Sequence, residues 1–208
     1  MGKPGAGKGT QAQRLIQDYP FTILATGDII RQAVKDKTPL GLEMKQKMDT
    51  GQLIDDDIIL NLIDAELEKH ENVILDGFPR TLKQAQALTE RKEIDMVLFL
   101  HVDDQVVINR ITNRWMVNHD GKQLSFNSKK KAQKYAEEKG GEAFQRNDDT
   151  KEVITKRLAQ YQNETKPLLS YYYEQDKLHT VEGFGDVEDV HEEICKRIEK
   201  IKSQTTNI

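Results

Sequence analysis

Short apolar runs alternate along the chain with longer stretches in which apolar residues recur every three or four positions. The apolar runs cover residues 21–25, 73–75, 96–102 and, more weakly, 178–181. Their length and the polar turns that bound them predict buried strands. Strands that alternate with helices imply right-handed crossovers and a parallel sheet covered on both faces. The pattern therefore predicts an α/β fold with a parallel central sheet.

The periodic stretches between the runs predict helices. These helices cover residues 8–18, 29–34, 42–49, 55–69, 81–91, 104–113 and 187–201, with a further long helix that begins at 149. Asp28 is expected to cap the second helix, since its carboxylate can accept bonds from the first free N–H groups. Pro167 is expected to kink or end the long helix, because proline lacks the N–H that a helix interior needs.

Residues 115–149 break this alternation. They are polar, rich in lysine, glycine and glutamine, and too long for an ordinary connection, so they indicate an insertion. The lysine run 129–131 could contact nucleic acid or form a solvated face. Glu137 and Glu138 follow closely and aromatic residues are sparse, which favours the solvated face.

Composition narrows the class of protein. A chain of 208 residues is long enough for one domain with a substantial core. Its 31 basic and 35 acidic residues give a net charge of −4, so any phosphate site must be a local cluster of cations. Cys195 is the sole cysteine, which excludes a disulfide framework and an intrachain zinc site built from cysteines. We expect Cys195 to be a small apolar residue of the last helix. We see no leader-like segment and no apolar run of about 18 residues, and we expect a soluble cytoplasmic protein.

Residues 2–10 form the glycine-rich sequence Gly-Lys-Pro-Gly-Ala-Gly-Lys-Gly-Thr. Glycines let backbone N–H groups converge on phosphate oxygens, and the helix that follows adds the positive end of its dipole. The spacing Gly-x4-Gly-Lys fits a phosphate-binding loop in which Lys8 reaches the β- and γ-phosphates. Gly9 stands between Lys8 and Thr10, where the general motif has serine or threonine directly after the lysine. Taken alone, the loop leaves a merely flexible glycine-rich segment as the alternative.

Several arginines follow the predicted strand ends or flank the insertion: Arg31, Arg80, Arg110, Arg114, Arg146 and Arg157. Phosphoryl transfer requires neutralised charge and in-line positioning, and the guanidinium fork binds phosphate oxygens bidentately. The i, i+4 spacing of Arg110 and Arg114 predicts that they share one helical face. Any one of these arginines could form a surface salt bridge, and it is their arrangement that favours a phosphate site.

Taken in order, these motifs resemble those of adenylate kinases, which belong to the nucleoside monophosphate kinases. The matching segments are residues 2–10, 26–31, 76–81 with Gln84, 110–114, and 146–149 leading to Arg157. The resemblance covers nearly the whole chain and implies a three-layer P-loop fold, as one kinase domain over residues 1–208. It also implies an AMP-binding insertion at 27–56 and a lid at 113–149.

The implied activity is reversible, Mg²⁺-dependent transfer of the ATP γ-phosphoryl group to AMP, giving two ADP without a covalent intermediate. ATP, AMP and ADP are the implied partners, with no nucleic acid and no membrane, and a monomer is the family expectation. A UMP or CMP kinase is the alternative within the class. Thr26 favours AMP, because pyrimidine-specific relatives tend to have alanine at the matching position.

The resemblance also implies roles for individual residues. For ATP these are Gly5, Ala6, Gly7, Lys8, Gly9, Thr10, Arg110 and Arg114, with Arg110 against the adenine. For AMP they are Thr26, Arg31, Ile54, Gly77, Arg80, Gln84, Arg146 and Arg157. The implied catalytic cations are Lys8, Arg80, Arg114, Arg146 and Arg157. Thr10 and, through water, Asp76 are implied on the Mg²⁺ side.

The chain departs from the family pattern at three places. Some relatives hold a lid of this length with four metal ligands, mostly cysteines. This lid has no cysteine, and His119 and Asp120 alone are too few ligands for a zinc ion, so we expect no zinc site. Residues 182–185 stand where relatives carry an Asp-Gly-Thr-like turn near the ATP adenine. The family also has an apolar strand before the phosphate loop, whereas only Met1 precedes it here. We therefore expect this sequence to start downstream of its natural start, and a catalytically weak nucleotide-binding protein is the second alternative.

Overall fold

The structure is a computed structural model that describes residues 1–36, 39–50, 54–120 and 122–205. The helices are α1 (Lys8–Asp18), α2 (Thr26–Lys35), α3 (Pro39–Thr50), α4 (Asp56–Leu67), α5 (Leu82–Arg91), α6 (Asp104–Thr112), α7 (Lys129–Lys139), α8 (Lys151–Gln160), α9 (Pro167–Tyr173) and α10 (Val187–Thr205). The strands are β1 (Thr22–Ala25), β2 (Val73–Asp76), β3 (Val97–His101), β4 (Trp115–His119), β5 (Lys122–Phe126), β6 (Glu142–Phe144) and β7 (Leu178–Glu182). Helices and strands thus alternate where the apolar pattern predicts them. Residues 37, 38 and 51–53 of the predicted AMP-binding insertion lie outside the described residues.

The strands pair in the parallel arrangement that the alternation predicts. β1 runs parallel to β2, with Thr22 opposite Val73, and β3 runs parallel to β7, with Val97 opposite Leu178. Gly2 forms a parallel bridge with Leu100 of β3, so the start of the glycine-rich loop lies against that strand. The predicted α/β fold is confirmed, with its parallel strands in two pairs.

Two large apolar cores hold these pairs in place. The first packs α2, α3, α4 and α5 on β1 and β2, and its buried members include Leu24, Ile63 and Leu88. The second packs α1, α6 and α10 on β3 and β7, around Leu100 and Ile194. β1 and β2 end side by side, with Ala25 opposite Asp76, and the Asp76 carboxylate faces the first turn of α1.

The start of α2 differs from the prediction. The helix begins at Thr26, with Ala25 of β1 as its N-cap residue and no side-chain cap, so the expectation that Asp28 caps it is wrong. Thr26 is buried, and its hydroxyl donates to the Gly77 carbonyl at 3.1 Å, which ties the helix start to the end of β2. Asp28 lies in the first turn instead and pairs with Arg31.

The polar insertion folds around its own small antiparallel sheet, in the order β5–β4–β6. Helix α7 covers this sheet and is capped by Ser128, whose hydroxyl accepts from the Lys131 N–H. The lysines at 129–131 are exposed, as predicted for a solvated face, and Lys129 stands 5.2 Å from the Trp115 ring centre. None of the helices that the structure describes is both long and apolar enough to cross a membrane.

The long helix that the sequence predicts from residue 149 is broken as expected near Pro167. α8 runs into a π-helical segment, Tyr161–Thr165, and α9 then begins at Pro167. The Lys166 N–H donates to the Tyr161 carbonyl at 2.8 Å, which is the wider bonding of a π turn. Proline is tolerated at the first position of α9, because its missing N–H has no partner to lose there.

Candidate active site

A cleft of about 630 Å³ opens beyond the ends of β1 and β2 and above the start of α1. Most residues with a predicted role line it: Gly5, Gly7, Lys8, Gly9, Thr10, Thr26, Arg31, Ile54, Asp76, Gly77, Arg80, Gln84, Arg114, Arg146 and Arg157. Ala6 and Arg110 are also predicted site residues, but they are not among the residues that line the cleft. In parallel sheets ligands collect beyond the carboxyl ends of the strands, and this cleft has that position.

Glycines shape the loop that leads into α1. Gly7 is the N-cap residue of α1 at φ 99°, and Gly5 has φ 81°, both in the left-handed region that favours glycine. A Cβ at Gly5 would stand 2.8 Å from the Ile111 side chain. Ala6 faces the other way: it is 3% exposed in the core, and its N–H donates to the Lys3 carbonyl at 3.1 Å. The loop is therefore packed on α6 at its back and open to the cleft at Gly7.

Gly5→Ala and Gly7→Ala form a matched pair with different expected costs. Both introduce a side chain at positive φ, which costs about 1–2 kcal/mol. Gly5→Ala additionally forces a methyl group into Ile111, which adds about 1–3 kcal/mol, whereas no described atom lies within 4 Å of a Cβ at Gly7. In urea unfolding we therefore expect the larger loss for Gly5→Ala. Equal losses would show that the Ile111 contact does not constrain the loop.

Lys8 lies at the floor of the cleft. Its Nζ donates to the carbonyls of Gly2 and Lys3, at 2.9 Å each. Removal from water lowers the pKa of Lys8 to about 8; Asp76 opposes this shift, and Arg80 and Arg114 add to it. The ammonium is thus held among carbonyl oxygens and next to other cations, in a place where an anion would stabilise its charge.

Arginines crowd the opposite wall. Loss of water around the Arg146 guanidinium, together with the nearby charges of Arg31 and Arg114, lowers its pKa to about 10. The pKa of Arg80 is lowered by loss of water and then by Arg157. The Nε atoms of Arg31 and Arg146 are buried and, within the described part of the chain, have no hydrogen-bond partner. Such a cluster, in which cations repel one another and N–H donors lack partners, is expected where a polyanion binds.

Two of the arginines are held by neighbouring carboxylates. Arg114 Nε donates to Asp149 Oδ2 at 2.9 Å, and Arg157 pairs with Asp148. Both aspartates are buried. Burial alone would raise the pKa of Asp148, but the charge and hydrogen bond of Arg157 outweigh it, so that the pKa is lowered. Both carboxylates therefore act as internal counter-ions for arginines that line the cleft.

Arg110 and Arg114 do not share a helical face, so that prediction is wrong. α6 ends at Thr112 with Asn113 as its C-cap residue, and Arg114 lies beyond it. Arg110 donates to the Gly183 carbonyl at 3.0 Å, in the loop that follows β7. The helix stops before Arg114 because β4 begins at Trp115, one residue later.

Oxygen ligands stand beside the first turn of α1. A Cβ at Gly9 would lie 3.2 Å from Asp76 Oδ2, so the carboxylate faces the helix directly, and Thr10 is exposed to the cleft. Carboxylate and hydroxyl oxygens are hard ligands of the kind that Mg²⁺ prefers, usually together with water and phosphate oxygens. The residues at this position therefore fit the Mg²⁺ that the resemblance implies.

Gln84 anchors the loop that carries Arg80. Its Oε1 accepts from the Arg80 N–H at 2.7 Å, and its Nε2 donates to Asp56 Oδ1 at 2.7 Å. Arg80 Nε in turn donates to the Gly77 carbonyl at 2.6 Å, and the Arg80 carbonyl accepts from the Thr165 hydroxyl at 2.9 Å. These bonds fix where the Arg80 guanidinium stands.

Sequence reasoning missed some of the residues around the cleft. Thr165 lines it while holding the Arg80 carbonyl, and Gln123 accepts from Arg146 at 2.8 Å. Asp56, which anchors Gln84, stands among the consecutive aspartates 55–57 at the start of α4, where acidic residues are favourable for the helix alone. Nothing in the sequence near Gln123 or Thr165 signals such contacts, because both depend on how the insertion and the π-helical segment fold.

Comparison with known proteins agrees with this geometry. The sequence model of the family described as Adenylate kinase matches residues 1–177. Among similar proteins, the adenylate kinase of Bacillus subtilis (strain 168) is 40% identical over 204 residues, covering 93% of this chain and 94% of the relative. That of Fusobacterium nucleatum is 42% identical over 94% and 95%, and that of Methanosarcina barkeri is 40% identical over 96% and 97%. With motifs in the same order and identity along nearly the whole length, the chain belongs to the adenylate kinase family.

Proposed function

We propose that this chain transfers the γ-phosphoryl group of MgATP to AMP and so forms two ADP. The observation that carries the proposal is the convergence of the glycine-rich loop, Lys8 and the arginines on one cleft. Relatives named Adenylate kinase match over almost the entire chain, which supports the same activity. This agreement does not favour a UMP or CMP kinase, nor a catalytically weak binding protein.

The loop and the start of α1 form the ATP side of the proposed site. Backbone N–H groups around Gly7 and the dipole of α1 attract the phosphates. Lys8 exchanges its bonds to the Gly2 and Lys3 carbonyls for bonds to phosphate oxygens. Thr10 and, through water, Asp76 would hold Mg²⁺, which would neutralise part of the phosphate charge. Arg110 of α6, which is held beside the loop by its bond to the Gly183 carbonyl, stays a predicted adenine contact.

The loop after β2 and the start of α2 form the AMP side. Arg31 and Arg80 bind the AMP phosphate, and the free donors of Arg80 are already aimed by its bond to the Gly77 carbonyl. Thr26, Gln84 and Ile54 lie on the same side of the cleft and are assigned to the adenosine.

Transfer requires little covalent work from the protein. Arg114, Arg146 and Arg157 stabilise the charge on the transferring phosphoryl group. Arg114 exchanges its bond to Asp149 for a bond to a phosphoryl oxygen, and Arg157 does the same with its bond to Asp148. Closure of the predicted lid at 113–149 over the cleft excludes water and prevents hydrolysis of ATP. A cytoplasmic location and a monomeric state remain predictions.

The direct test is ADP formation by the purified 208-residue chain with MgATP and each of AMP, UMP and CMP. We expect AMP to give the largest kcat/KM, since Thr26 and Gln84 stand at the nucleoside side of the cleft. Reactions without a monophosphate serve as the control for hydrolysis. A preference for UMP or CMP would change the assigned substrate, and ATP binding without ADP formation would favour the weak binding protein.

A further inference from the structure

A second cluster of reactive side chains lies at the other end of α1 from the phosphate loop. Asp18 is the last residue of α1, and His191 and Cys195 lie one turn apart on α10. α1 rises about 1.5 Å per residue, so its 11 residues separate this cluster from Gly7 by about 15 Å. The proposed phosphoryl transfer uses none of these three side chains.

The three side chains present their ligand atoms to one another. His191 Nε2 stands 2.7 Å from Asp18 Oδ2 and 3.6 Å from Cys195 Sγ. All three ligand atoms lie within 4.8 Å of one another. His191 is buried, while the Asp18 side chain is 53% exposed, so the cluster is anchored inside the protein and accessible from solvent.

The bonding around His191 fixes the role of each ring nitrogen. The Gln11 amide donates from Nε2 to the Val187 carbonyl at 2.9 Å, which leaves its Oε1 facing His191 Nδ1 at 3.2 Å. Nδ1 must therefore carry a proton to donate to that oxygen. In the neutral ring Nε2 then holds a lone pair, and it faces an oxygen of Asp18 that also holds lone pairs. Two such atoms at 2.7 Å share a proton, and a metal ion bound by both takes the place of that proton once the exposed Asp18 carboxylate moves outward.

We propose that Asp18, His191 and Cys195 bind a divalent transition-metal ion of the Zn²⁺ class, outside the nucleotide cleft. Imidazole nitrogen, thiolate sulfur and carboxylate oxygen are the ligand types of Zn²⁺ sites, and three protein ligands leave a fourth position for water. The bond between Gln11 and His191 Nδ1 orients the ring as ligating histidines are usually oriented. On binding, the Cys195 thiol proton passes to water, as does any proton on Nε2.

This inference departs from the expectation of no zinc site, which rested on the lid and on the single cysteine, because it combines that cysteine with a histidine and a carboxylate. Asp18 and His191 are 173 positions apart, so their proximity is not visible along the sequence. Cys195 is half-buried beside the second apolar core, in keeping with its prediction as an apolar helix residue, but its sulfur also faces His191. Binding would join α10 to the helix that follows the phosphate loop.

The first test is Co²⁺ titration of the metal-free full chain, read by absorbance. Thiolate ligation of Co²⁺ gives a charge-transfer band, and because Cys195 is the sole cysteine the band reports on this site alone. We expect the band to saturate at one equivalent and to be absent in Cys195→Ser. Absence of the band in the unmodified chain would overturn the proposal and leave a proton between His191 and Asp18.

The second test is Zn²⁺ affinity, measured by competition with a chromophoric chelator. We expect Asp18→Asn and Cys195→Ser to weaken binding by at least about tenfold. His119→Asn is the matched control, because His119 lies near another carboxylate, that of Asp120, at 3.3 Å. If His119→Asn weakened Zn²⁺ binding and Asp18→Asn did not, the metal site would lie in the insertion and the proposal would be overturned.

Thermal unfolding gives a readout that does not depend on the Cys195→Ser variant. With Zn²⁺ at about 100 times its dissociation constant, we expect the Tm of the unmodified chain to rise by about 5–10 °C. Asp18→Asn changes an exposed side chain, so it tests the site even if Cys195→Ser folds poorly. An equal rise in Asp18→Asn and in the unmodified chain would overturn the proposal.

Discussion

Replacing Arg80 with alanine is expected to lower kcat/KM for AMP by about 10²–10³-fold while changing KM for ATP by less than about twofold. The Arg80 guanidinium is aimed into the cleft by its bond to the Gly77 carbonyl at 2.6 Å, and Gln84 and Thr165 hold its backbone on both sides. Removing it deletes a charged, preorganised fork from the AMP side and leaves the phosphate loop unchanged. Steady-state kinetics with each nucleotide varied in turn would measure the effect.

Two further variants make this result specific. Arg80→Lys keeps a positive charge but loses the planar fork, so we expect it to recover only part of the activity. Arg91→Ala is the matched control, because Arg91 pairs with Asp64 at 2.9 Å on the surface and is not among the residues that line the cleft. An unchanged rate in Arg80→Ala, or an equal loss in Arg91→Ala, would remove Arg80 from the proposed site.

Lys8→Ala is expected to lower kcat by about 10²–10³-fold and to weaken MgATP binding. The lysine lies where the glycine-rich loop meets α1, among carbonyls that it can leave for phosphate oxygens. Lys83→Ala is the control, since Lys83 is an exposed lysine paired with Asp57 at 2.8 Å. Retention of full activity in Lys8→Ala would contradict the assignment.

The pH dependence of MgATP binding gives an independent check on Lys8. Its pKa in the free protein is lowered to about 8, so above that pH the side chain is largely uncharged. Bound phosphate favours the charged form, so binding takes up a proton there, and affinity should fall as the pH rises through about 8. Calorimetric titration should show this fall in the unmodified chain and not in Lys8→Ala.

The alternation of apolar runs and periodic stretches predicted most of the fold because it follows from local chemistry. Strands buried on both faces are continuously apolar, and surface helices repeat every three or four residues. The same pattern placed Thr26 and Asp76 at strand ends, where parallel pairing brings them to one edge. The cleft was therefore predictable from local signals combined with one topological rule.

The features that the sequence did not predict depend on contacts between distant segments. The insertion is polar over most of its length, so its small sheet and the pairing of Gln123 with Arg146 leave no clear periodic signal. Asp28 has the chemistry of a cap, but burial of Thr26 against β2 moves the helix start ahead of it. The cluster of His191 with Asp18 forms only because α10 packs on α1.

The π-helical segment Tyr161–Thr165 sets the rotation of α9 about the helix axis relative to α8. On its N-terminal side Arg157 faces the cleft, whereas on its C-terminal side Leu168 and Tyr172 are buried to 0% and 1% exposure. Deleting one residue from the segment would turn α9 by about 100° relative to α8 and carry both apolar side chains out of the core. This stretch of sequence must therefore preserve the number of residues between Arg157 and Leu168, more than the identity of its exposed side chains.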